Sequence, residues 1–144
     1  MKILITGASG YLGARITYFF AKQNNEVIAH CSKYIPQKKD WTEHVSKFII
    51  GDIREKKTID EIVNSDPEVI IHLVSLDHYD SEKEARIVSS INFQPVWNIL
   101  EGCSEKSLKS FIYFSTIHVY GKTNEIEIDE SHPTKPSNIY GLTH

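Results

Sequence analysis

The sequence alternates short apolar runs with longer amphipathic stretches. The apolar runs lack strict alternation, which is typical of strands that are buried on both faces of a parallel sheet. Five such runs occur, at Ile3–Thr6, Glu26–His30, Lys47–Ile50, Val69–Val74 and Ser110–Ser115. The stretches between them predict helices near Tyr11–Gln23, Thr58–Asn64 and Glu82–Glu105, the last kinked or broken in two at Pro95. Strands that alternate with helices predict βαβ units and a parallel α/β fold.

Two polar segments that contain proline predict loops. Tyr34–Glu43 includes Pro36 and several charged side chains, and it has room for one short helical turn. Gly121–Ser137 predicts a long surface loop, because it is polar and carries Pro133 and Pro136.

A helix start follows the second loop, with Ser137 or Asn138 as the capping residue. A helix that begins near Ile139 would have only about six residues before the sequence ends, and so short a helix is unstable alone. We therefore expect the sequence to be the N-terminal part of a longer fold.

Composition narrows the possible partners. The length of 144 residues suits one domain, and apolar and charged contents of 40% and 24% are ordinary for a globular protein. The net charge of −3 argues against nucleic acid or an anionic membrane as the main partner. No window approaches the ~18 apolar residues of a membrane span. Cys31 and Cys103 form no CxxC pair, so we expect reduced thiols, no metal site and a cytoplasmic location.

A glycine-rich loop directly follows the first predicted strand. Thr6–Gly13 reads TGASGYLG, a GxxGxxG pattern. Gly7 permits a tight turn, Gly10 removes the Cβ that would obstruct a pyrophosphate, and Gly13 permits close packing of the helix on the sheet. The helix N-terminus then offers N–H groups to phosphates. The predicted dinucleotide contacts are Gly7, Ser9, Gly10, Tyr11, Leu12 and Gly13.

A glycine-rich turn can also bind no ligand, or it can bind a nucleoside triphosphate. A turn that binds no ligand remains the alternative to a dinucleotide loop. A nucleoside-triphosphate P-loop is excluded, because no Gly-Lys-Ser/Thr follows the glycines. Five apolar runs with a glycine loop after the first predict a Rossmann-type doubly wound parallel sheet with strand order 3-2-1-4-5.

Further motifs fall in a fixed order along the chain. They are Gly51–Arg54 (GDIR), His72–Ser75 (HLVS), Asn92, Trp97–Glu101 (WNILE), Phe114–Thr116 (FST), Val119–Gly121 (VYG) and Pro136–Gly141 (PSNIYG). With the glycine loop they resemble the extended short-chain dehydrogenases/reductases, especially NAD(P)-dependent nucleotide-sugar epimerases and dehydratases. The resemblance covers essentially the whole chain. It implies that residues 1–144 form the dinucleotide-binding Rossmann domain, truncated before the last strands and the C-terminal substrate domain.

The resemblance also implies cofactor contacts outside the glycine loop. Asp52 corresponds to the acid that hydrogen-bonds the adenine amino group, and Ile53 to the residue that packs on the adenine ring. Leu73, Val74 and Ser75 correspond to the strand end beside the nicotinamide ribose. The family usually has small alanines at the last two of these positions, so the contact there is expected to differ.

Two further residues correspond to structural positions of the family. Asn92 resembles the helix asparagine that braces the active-site strand, and we expect it to belong to the cofactor-binding site. A solvent-facing helix residue is the alternative for Asn92. His72 resembles a residue that is buried in a strand of the family fold, and we expect a hydrogen-bonded core histidine there.

The catalytic pair of the family maps onto Thr116 and Tyr140, whose spacing fits. The resemblance implies that the Thr116 hydroxyl binds a sugar hydroxyl or keto oxygen, with Ser115 as the fallback. Tyr140 would remove a proton from a sugar hydroxyl while hydride passes to the nicotinamide. No chemistry is assigned to His118 or Tyr120.

The sequence departs from the family motif Tyr-x-x-x-Lys at His144, four residues after Tyr140. Positions i and i+4 share a helix face, so His144 would point at the same cofactor. Ionising a tyrosine near neutral pH costs about 4 kcal/mol. A fixed cation at ~6 Å supplies ~2.8 kcal/mol at an effective dielectric of ~20, whereas a neutral imidazole does not. A protonated imidazole could supply it, because the phenolate itself would raise the histidine pKa. The site is therefore weakened, pH-dependent or non-catalytic.

The second predicted strand bears on cofactor choice. NAD-preferring relatives close this strand with an acidic residue that binds the ribose hydroxyls. Here Cys31 is followed by Ser32 and Lys33, and no acid is present. Ser32 and Lys33, with Ser9 of the glycine loop, are suited to a 2′-phosphate, so NADP is favoured over NAD. An ordinary solvated lysine is the alternative for Lys33.

Two functions remain open from the sequence. One is an enzyme that acts on a nucleotide-linked sugar by hydride transfer, supported by Thr116 and Tyr140; the 144-residue segment alone is expected to be inactive. The other is a non-catalytic NAD(P)-binding module or sensor, supported by His144. A homodimer through the long helices is a further expectation.

Overall fold

The computed structural model of the chain describes residues 1–35, 40–83, 85–124 and 126–144. It divides into two compact units. Unit 1 comprises Met1–Val74 and Pro95–Phe114, and unit 2 comprises Ser75–Gln94 and Ser115–His144. Each unit is therefore built from two separate stretches of chain.

Unit 1 contains a five-stranded parallel sheet. Its strands are β1 (Lys2–Ile5), β2 (Glu26–Cys31), β3 (Lys47–Ile50), β4 (Val69–His72) and β5 (Ser110–Tyr113). Their order is β3-β2-β1-β4-β5, and every pairing is parallel. The predicted Rossmann-type fold and strand order are confirmed, with strand ends within two residues of the predicted runs.

Both faces of the sheet are apolar and covered. Leu4, Ile28 and Ile70 face one cluster, which also holds Ile59 and Ile62 of helix α2 (Lys56–Asn64) and Ile99 of helix α5 (Gln94–Gly102). Ile3, Ile5, Val27 and Ile71 face the other cluster, against helix α1 (Tyr11–Ala21). Successive strand residues point to opposite faces, so burial of both faces requires the continuous apolar runs seen in the sequence.

Within the described residues, the predicted helix Glu82–Glu105 corresponds to α3 (His78–Lys83), α4 (Ala85–Asn92) and α5, so the predicted break at Pro95 is present. Helical structure begins at His78, four residues earlier than predicted. Pro95 lies in the first turn of α5, where its missing N–H has no intrahelical acceptor, so the chain breaks just before it. Glu84 lies outside the described residues. Helix α2 begins at Lys56, two residues earlier than predicted.

Unit 2 contains α3, α4, the 3-10 helix Ile117–Tyr120 and the short helix α6 (Ile139–Leu142). Asn138 caps α6, so the predicted start is confirmed with the second of the two proposed caps. The described part of the predicted loop Gly121–Ser137 contains no helix or strand.

The other predicted loop, Tyr34–Glu43, runs into the 3-10 helix Thr42–His44, and its residues 36–39 lie outside the described residues. None of the helices in the described ranges has the length and apolar character needed to cross a membrane.

Candidate functional site

The glycine loop is held between β2 and β4 in unit 1. Gly7 has a φ of +68°, a conformation that favours glycine. A Cβ at Gly7 would lie 3.4 Å from both the Leu73 carbonyl carbon and Val74 Cγ2, so the loop contacts the end of β4. The Ala8 N–H donates to the His30 carbonyl at 2.9 Å, which ties the loop to β2. The structure thus brings Leu73 and Val74 together with the loop.

The loop leads into an uncapped helix N-terminus. Gly10 is the N-cap of α1 and provides no side-chain hydrogen bond, so first-turn N–H groups are left for a ligand such as a phosphate. Gly13 is buried, and a Cβ there would lie 2.8 Å from Ala8 Cα. Close packing of helix on loop therefore requires glycine at position 13. Tyr11 and Leu12 are exposed at the start of the helix.

A cavity of about 520 Å³ opens beside this N-terminus. It is lined by Ser9, Gly10, Tyr11, Ala14, Arg15, Tyr18, Asp40 and Trp41. Arg15 Nη1 donates to the Tyr11 carbonyl at 3.1 Å, and its guanidinium lies 3.7 Å from the centroid of the Tyr11 ring. Sequence reasoning missed Arg15, Asp40 and Trp41. Arg15 could have been found from the sequence, since it lies four residues after Tyr11 on the same helix face.

Ser9 also contacts the end of β2. The Cys31 thiol is buried, and burial raises its pKa, while a hydrogen bond with the Ser9 side chain opposes the rise. Ser32 and Lys33 follow Cys31 and are exposed. The structure therefore groups Ser9 with the strand end that carries Ser32 and Lys33, the set expected for a 2′-phosphate.

Asp52 is engaged by a neighbour. Its carboxylate accepts hydrogen bonds from the Arg54 backbone N–H at 2.9 Å and from Arg54 Nε at 3.0 Å. These bonds from Arg54 lower the pKa of Asp52 and keep it ionised. Ile53 is buried in the core cluster beneath the sheet rather than on the surface. The expected adenine contacts of Asp52 and Ile53 stay predictions.

His30 and His72 are buried strand histidines. His30 Nε2 donates to the Gly51 carbonyl at 2.9 Å, and burial lowers the pKa of the ring. His72 Nδ1 lies 3.1 Å from Thr6 Oγ1, which also accepts the Leu73 N–H at 3.1 Å. These bonds fix the carboxyl ends of β1, β2 and β4, where the cofactor residues were predicted.

Asn92 is a buried brace within unit 2. Its Oδ1 accepts the Leu76 N–H at 2.8 Å, and its Nδ2 donates to Thr143 Oγ1 at 3.0 Å. Asn92 is 1% exposed, so it is not the solvent-facing residue that was the alternative. It joins the chain just after Ser75, which is exposed, to the helix that carries Tyr140.

Tyr140 lies on α6, which packs against the 3-10 helix Ile117–Tyr120. A Cβ at Gly141 would lie 2.8 Å from the His118 carbonyl carbon, so glycine permits this approach. The Tyr140 ring centroid lies 5.4 Å from that of His118 and 6.1 Å from that of His78. His78 was missed by sequence reasoning, because nothing in its local sequence indicates a contact with residue 140.

Thr116 and Ser115 lie at the start of the same 3-10 helix. Thr116 is its N-cap, and Thr116 Oγ1 accepts the His118 N–H at 3.4 Å. Ser115 Oγ donates to the His144 carbonyl at 3.2 Å. The structure therefore brings the segment of Thr116 into contact with the segment that carries Tyr140 and His144.

His144 lies directly beside Tyr140. Their ring centroids are 4.3 Å apart, and His144 Nδ1 lies 2.8 Å from the Tyr140 carbonyl. A carbonyl only accepts, so Nδ1 carries the hydrogen. Burial lowers the pKa of His144, opposed by the bond to Tyr140 and assisted by the nearby His118. His144 is therefore uncharged at neutral pH, unlike a lysine at this position.

No cluster of three or more histidine, cysteine, aspartate or glutamate side chains in the described part of the chain has the arrangement of a metal site.

Three known proteins resemble the chain over almost its full length. UDP-glucose 4-epimerase of Halalkalibacterium halodurans is 30% identical over 99% of the chain and 43% of its own length. The structure of L-threonine dehydrogenase from Clostridium difficile matches with a TM-score of 0.83 at 30% identity, over 99% of the chain and 45% of its own. The structure of the UDP-Glc/GlcNAc 4-epimerase from Campylobacter jejuni matches with a TM-score of 0.85 at 23% identity, over 99% of the chain and 45% of its own. This likeness shows the fold.

The chain spans less than half of the length of these relatives. The model of the NAD dependent epimerase/dehydratase family matches residues 3–144. The suspected resemblance is confirmed: the chain belongs to the NAD dependent epimerase/dehydratase family.

Proposed function

We propose that the natural protein containing this chain is an NAD(P)-dependent epimerase, dehydratase or reductase that acts on a nucleotide-linked sugar. The observation that carries the proposal is the packing of α6 on the 3-10 helix that begins at Thr116. Gly141 permits that close approach, and Asn138 caps the helix that presents Tyr140. A surface aromatic in an irregular loop would need neither feature.

In this proposal Tyr140 is the general base. Its phenolate takes the proton of a sugar hydroxyl, and the Thr116 hydroxyl holds the same oxygen by a hydrogen bond. A dinucleotide bound at the N-terminus of α1 would supply a nicotinamide as the hydride acceptor. Asn92 positions the base indirectly, because it binds Thr143, the C-cap of the helix that carries Tyr140. Return of the proton from Tyr140 closes the cycle.

The residues of unit 1 suit the diphosphate of a dinucleotide. Gly13 allows α1 to approach the loop, and the uncapped N-terminus at Gly10 offers N–H donors. Ser9, Ser32 and Lys33 favour NADP, and Arg15 adds a second cation. Asp40 in the same cavity favours unphosphorylated ribose hydroxyls instead. We favour NADP, because two cations outweigh one carboxylate around a phosphate.

Nucleotide sugars are the proposed substrates because a similar protein at 30% identity is named UDP-glucose 4-epimerase. A cytoplasmic location and a homodimer through the long helices complete the proposal. Trp97 and Leu100 of α5 are 58% and 41% exposed on one face of that helix, which suits a self-association surface.

A non-catalytic NAD(P)-binding module is the second candidate. The observation that favours it is His144, which the structure leaves uncharged beside Tyr140. Such a module would bind the dinucleotide through unit 1 and turn over no sugar.

The test uses the natural chain with UDP-glucose and either NAD⁺ or NADP⁺. Tyr140→Phe removes the hydroxyl proposed to move the proton, and loss of a general base costs about 10²–10⁴ in rate. Tyr79→Phe, which removes a hydroxyl from an exposed tyrosine of the same unit, is the matched control. Turnover that survives Tyr140→Phe would reject the catalytic assignment. Tight cofactor binding without any sugar turnover would favour the module.

A further inference from the structure

The orientation of the Asn138 side chain fixes the tautomer of His118. Asn138 Oδ1 accepts the Gly141 N–H at 2.8 Å. The opposite end of the amide, Nδ2, therefore faces His118 Nδ1, at 3.2 Å. An amide nitrogen only donates, so His118 Nδ1 accepts, and the neutral ring carries its hydrogen on Nε2.

The Nε2–H of His118 is available to a ligand. Among residues 1–35, 40–83, 85–124 and 126–144, Nε2 has no hydrogen-bond partner. The ring is half-buried. It stands edge-on to Tyr140 at 80° and 5.4 Å between centroids. A half-buried donor without a protein partner, held beside a proposed general base, is suited to bind the group on which that base acts.

Two contacts hold His118 in place, one to its ring and one to its backbone. His78 stacks on His118 with centroids 4.8 Å apart and planes at 29°. The backbone N–H of His118 donates to Thr116 Oγ1 at 3.4 Å. Thr116 and His118 thus belong to one turn, and Asn138 serves both that turn and the cap of α6. A donor fixed in this way loses little entropy when it binds a ligand.

We propose that His118 is a second hydrogen-bond donor to the reacting sugar oxygen, alongside Thr116. The inference rests on the proposed function and adds a residue to it. As Tyr140 removes the hydroxyl proton, negative charge develops on that oxygen, and a prearranged neutral donor stabilises it.

The first test reads the tautomer directly. Long-range ¹⁵N–¹H spectra of the natural chain should assign His118 as the Nε2–H form. Asn138→Asp keeps an oxygen for the Gly141 N–H, and aspartate is a good N-cap. Its second oxygen accepts from Nδ1 instead, so this variant should show hydrogen on Nδ1. A wild-type Nδ1–H spectrum would overturn the inference.

The second test reads contact with the sugar. Addition of UDP-glucose should shift the Nε2–H resonance of His118, whereas UDP alone should not. This readout does not require turnover, so it separates failure of the inference from failure of the proposed function. An unmoved resonance with bound UDP-glucose would show that His118 does not touch the sugar.

The third test is kinetic. His118→Phe keeps a ring for the stack and loses the donor, and loss of one such donor typically costs about 10²–10³ in kcat. We expect a loss of at least tenfold in kcat with little change in KM, the same loss in Asn138→Asp, and partial recovery in His118→Gln, whose amide donates. His44→Phe, at an exposed histidine of unit 1, is the control. Unchanged kcat in His118→Phe would reject the role.

Discussion

At the scale of single residues, position 144 determines whether Tyr140 has a permanent cation beside it. Burial keeps His144 uncharged at neutral pH, and its Nδ1–H is already used by the Tyr140 carbonyl. The substitution of histidine for the family lysine was visible in the sequence. Its consequence was not, since the charge of an imidazole depends on tertiary burial.

His144→Lys should raise the turnover of the natural chain at neutral and mildly alkaline pH. A lysine with an ordinary pKa of ~10.4 stays charged up to about pH 9, whereas burial lowers the pKa of His144 and leaves its ring neutral over this pH range. We expect at least a tenfold gain in kcat between about pH 7 and 9, read from pH–rate profiles. His44→Lys adds the same charge at an exposed position of unit 1 and should leave kcat unchanged. No gain in the His144 variant would show that the cation is not the missing element.

Lys33→Ala and Ser32→Ala should weaken NADP binding more than NAD binding. Only NADP has the 2′-phosphate, and charged hydrogen bonds to it are about twice as strong as neutral ones. Calorimetry with both cofactors measures the difference. Lys57→Ala removes another exposed lysine from unit 1 and serves as the control. Equal losses for the two cofactors, or a wild-type preference for NAD, would reject the NADP assignment and point to Asp40.

At the scale of elements, the strands and the glycine loop were predictable and the helices were less so. Apolar runs identify strands buried on both faces, and the loop identifies β1 as the strand that precedes it. The break before Pro95 followed from proline chemistry. The helical turn that begins at His78 was missed because HYDSEK has no apolar periodicity, and His78 contacts Tyr140, which is distant in sequence.

Gly10→Val and Gly13→Ala should separate binding from folding. Gly10 has a φ of −73°, which any residue adopts, and a Cβ there meets only the Gly7 carbonyl oxygen, at 3.2 Å. We expect Gly10→Val to leave the fold intact and to weaken dinucleotide binding at least tenfold, about 1.4 kcal/mol. Gly13→Ala instead presses on the loop backbone and should lower the free energy of unfolding by about 1–3 kcal/mol.

Calorimetry and thermal unfolding of both variants distinguish the two effects. Unchanged cofactor affinity in Gly10→Val would remove the phosphate-loop assignment. A fully stable Gly13→Ala variant would contradict the close packing of α1 on the loop.

At the scale of the whole molecule, Thr116 and Tyr140 could be proposed as a catalytic pair from the sequence, but the ring cluster around Tyr140 could not be predicted. Thr116 and Tyr140 sit in short motifs with a fixed spacing. His78 and His118 meet Tyr140 from two separate stretches of chain, and no local pattern indicates such a meeting. The same holds for Asp40 and Trp41 in the cavity beside α1.

The proposed homodimer predicts that a charge on the exposed face of α5 breaks self-association. Leu100→Glu should convert the natural protein from dimer to monomer, because burial of an unpaired carboxylate in an apolar contact is unfavourable. Light scattering measures the change in mass. Lys106→Glu places the same charge at an exposed position just after α5 and should leave the dimer intact. A wild-type monomer, or a dimer that tolerates Leu100→Glu, would exclude this surface.

The central position of β1 has a consequence for folding during synthesis. The strand lies between β2 and β4, so one edge stays unpaired until the ribosome has released the chain up to His72. Nascent chains fold from the N-terminus onward, and an apolar edge exposed during elongation is where neighbouring nascent chains on one messenger can pair wrongly. The edge of the strand that precedes the glycine loop is therefore open to mispairing until β4 has left the ribosome.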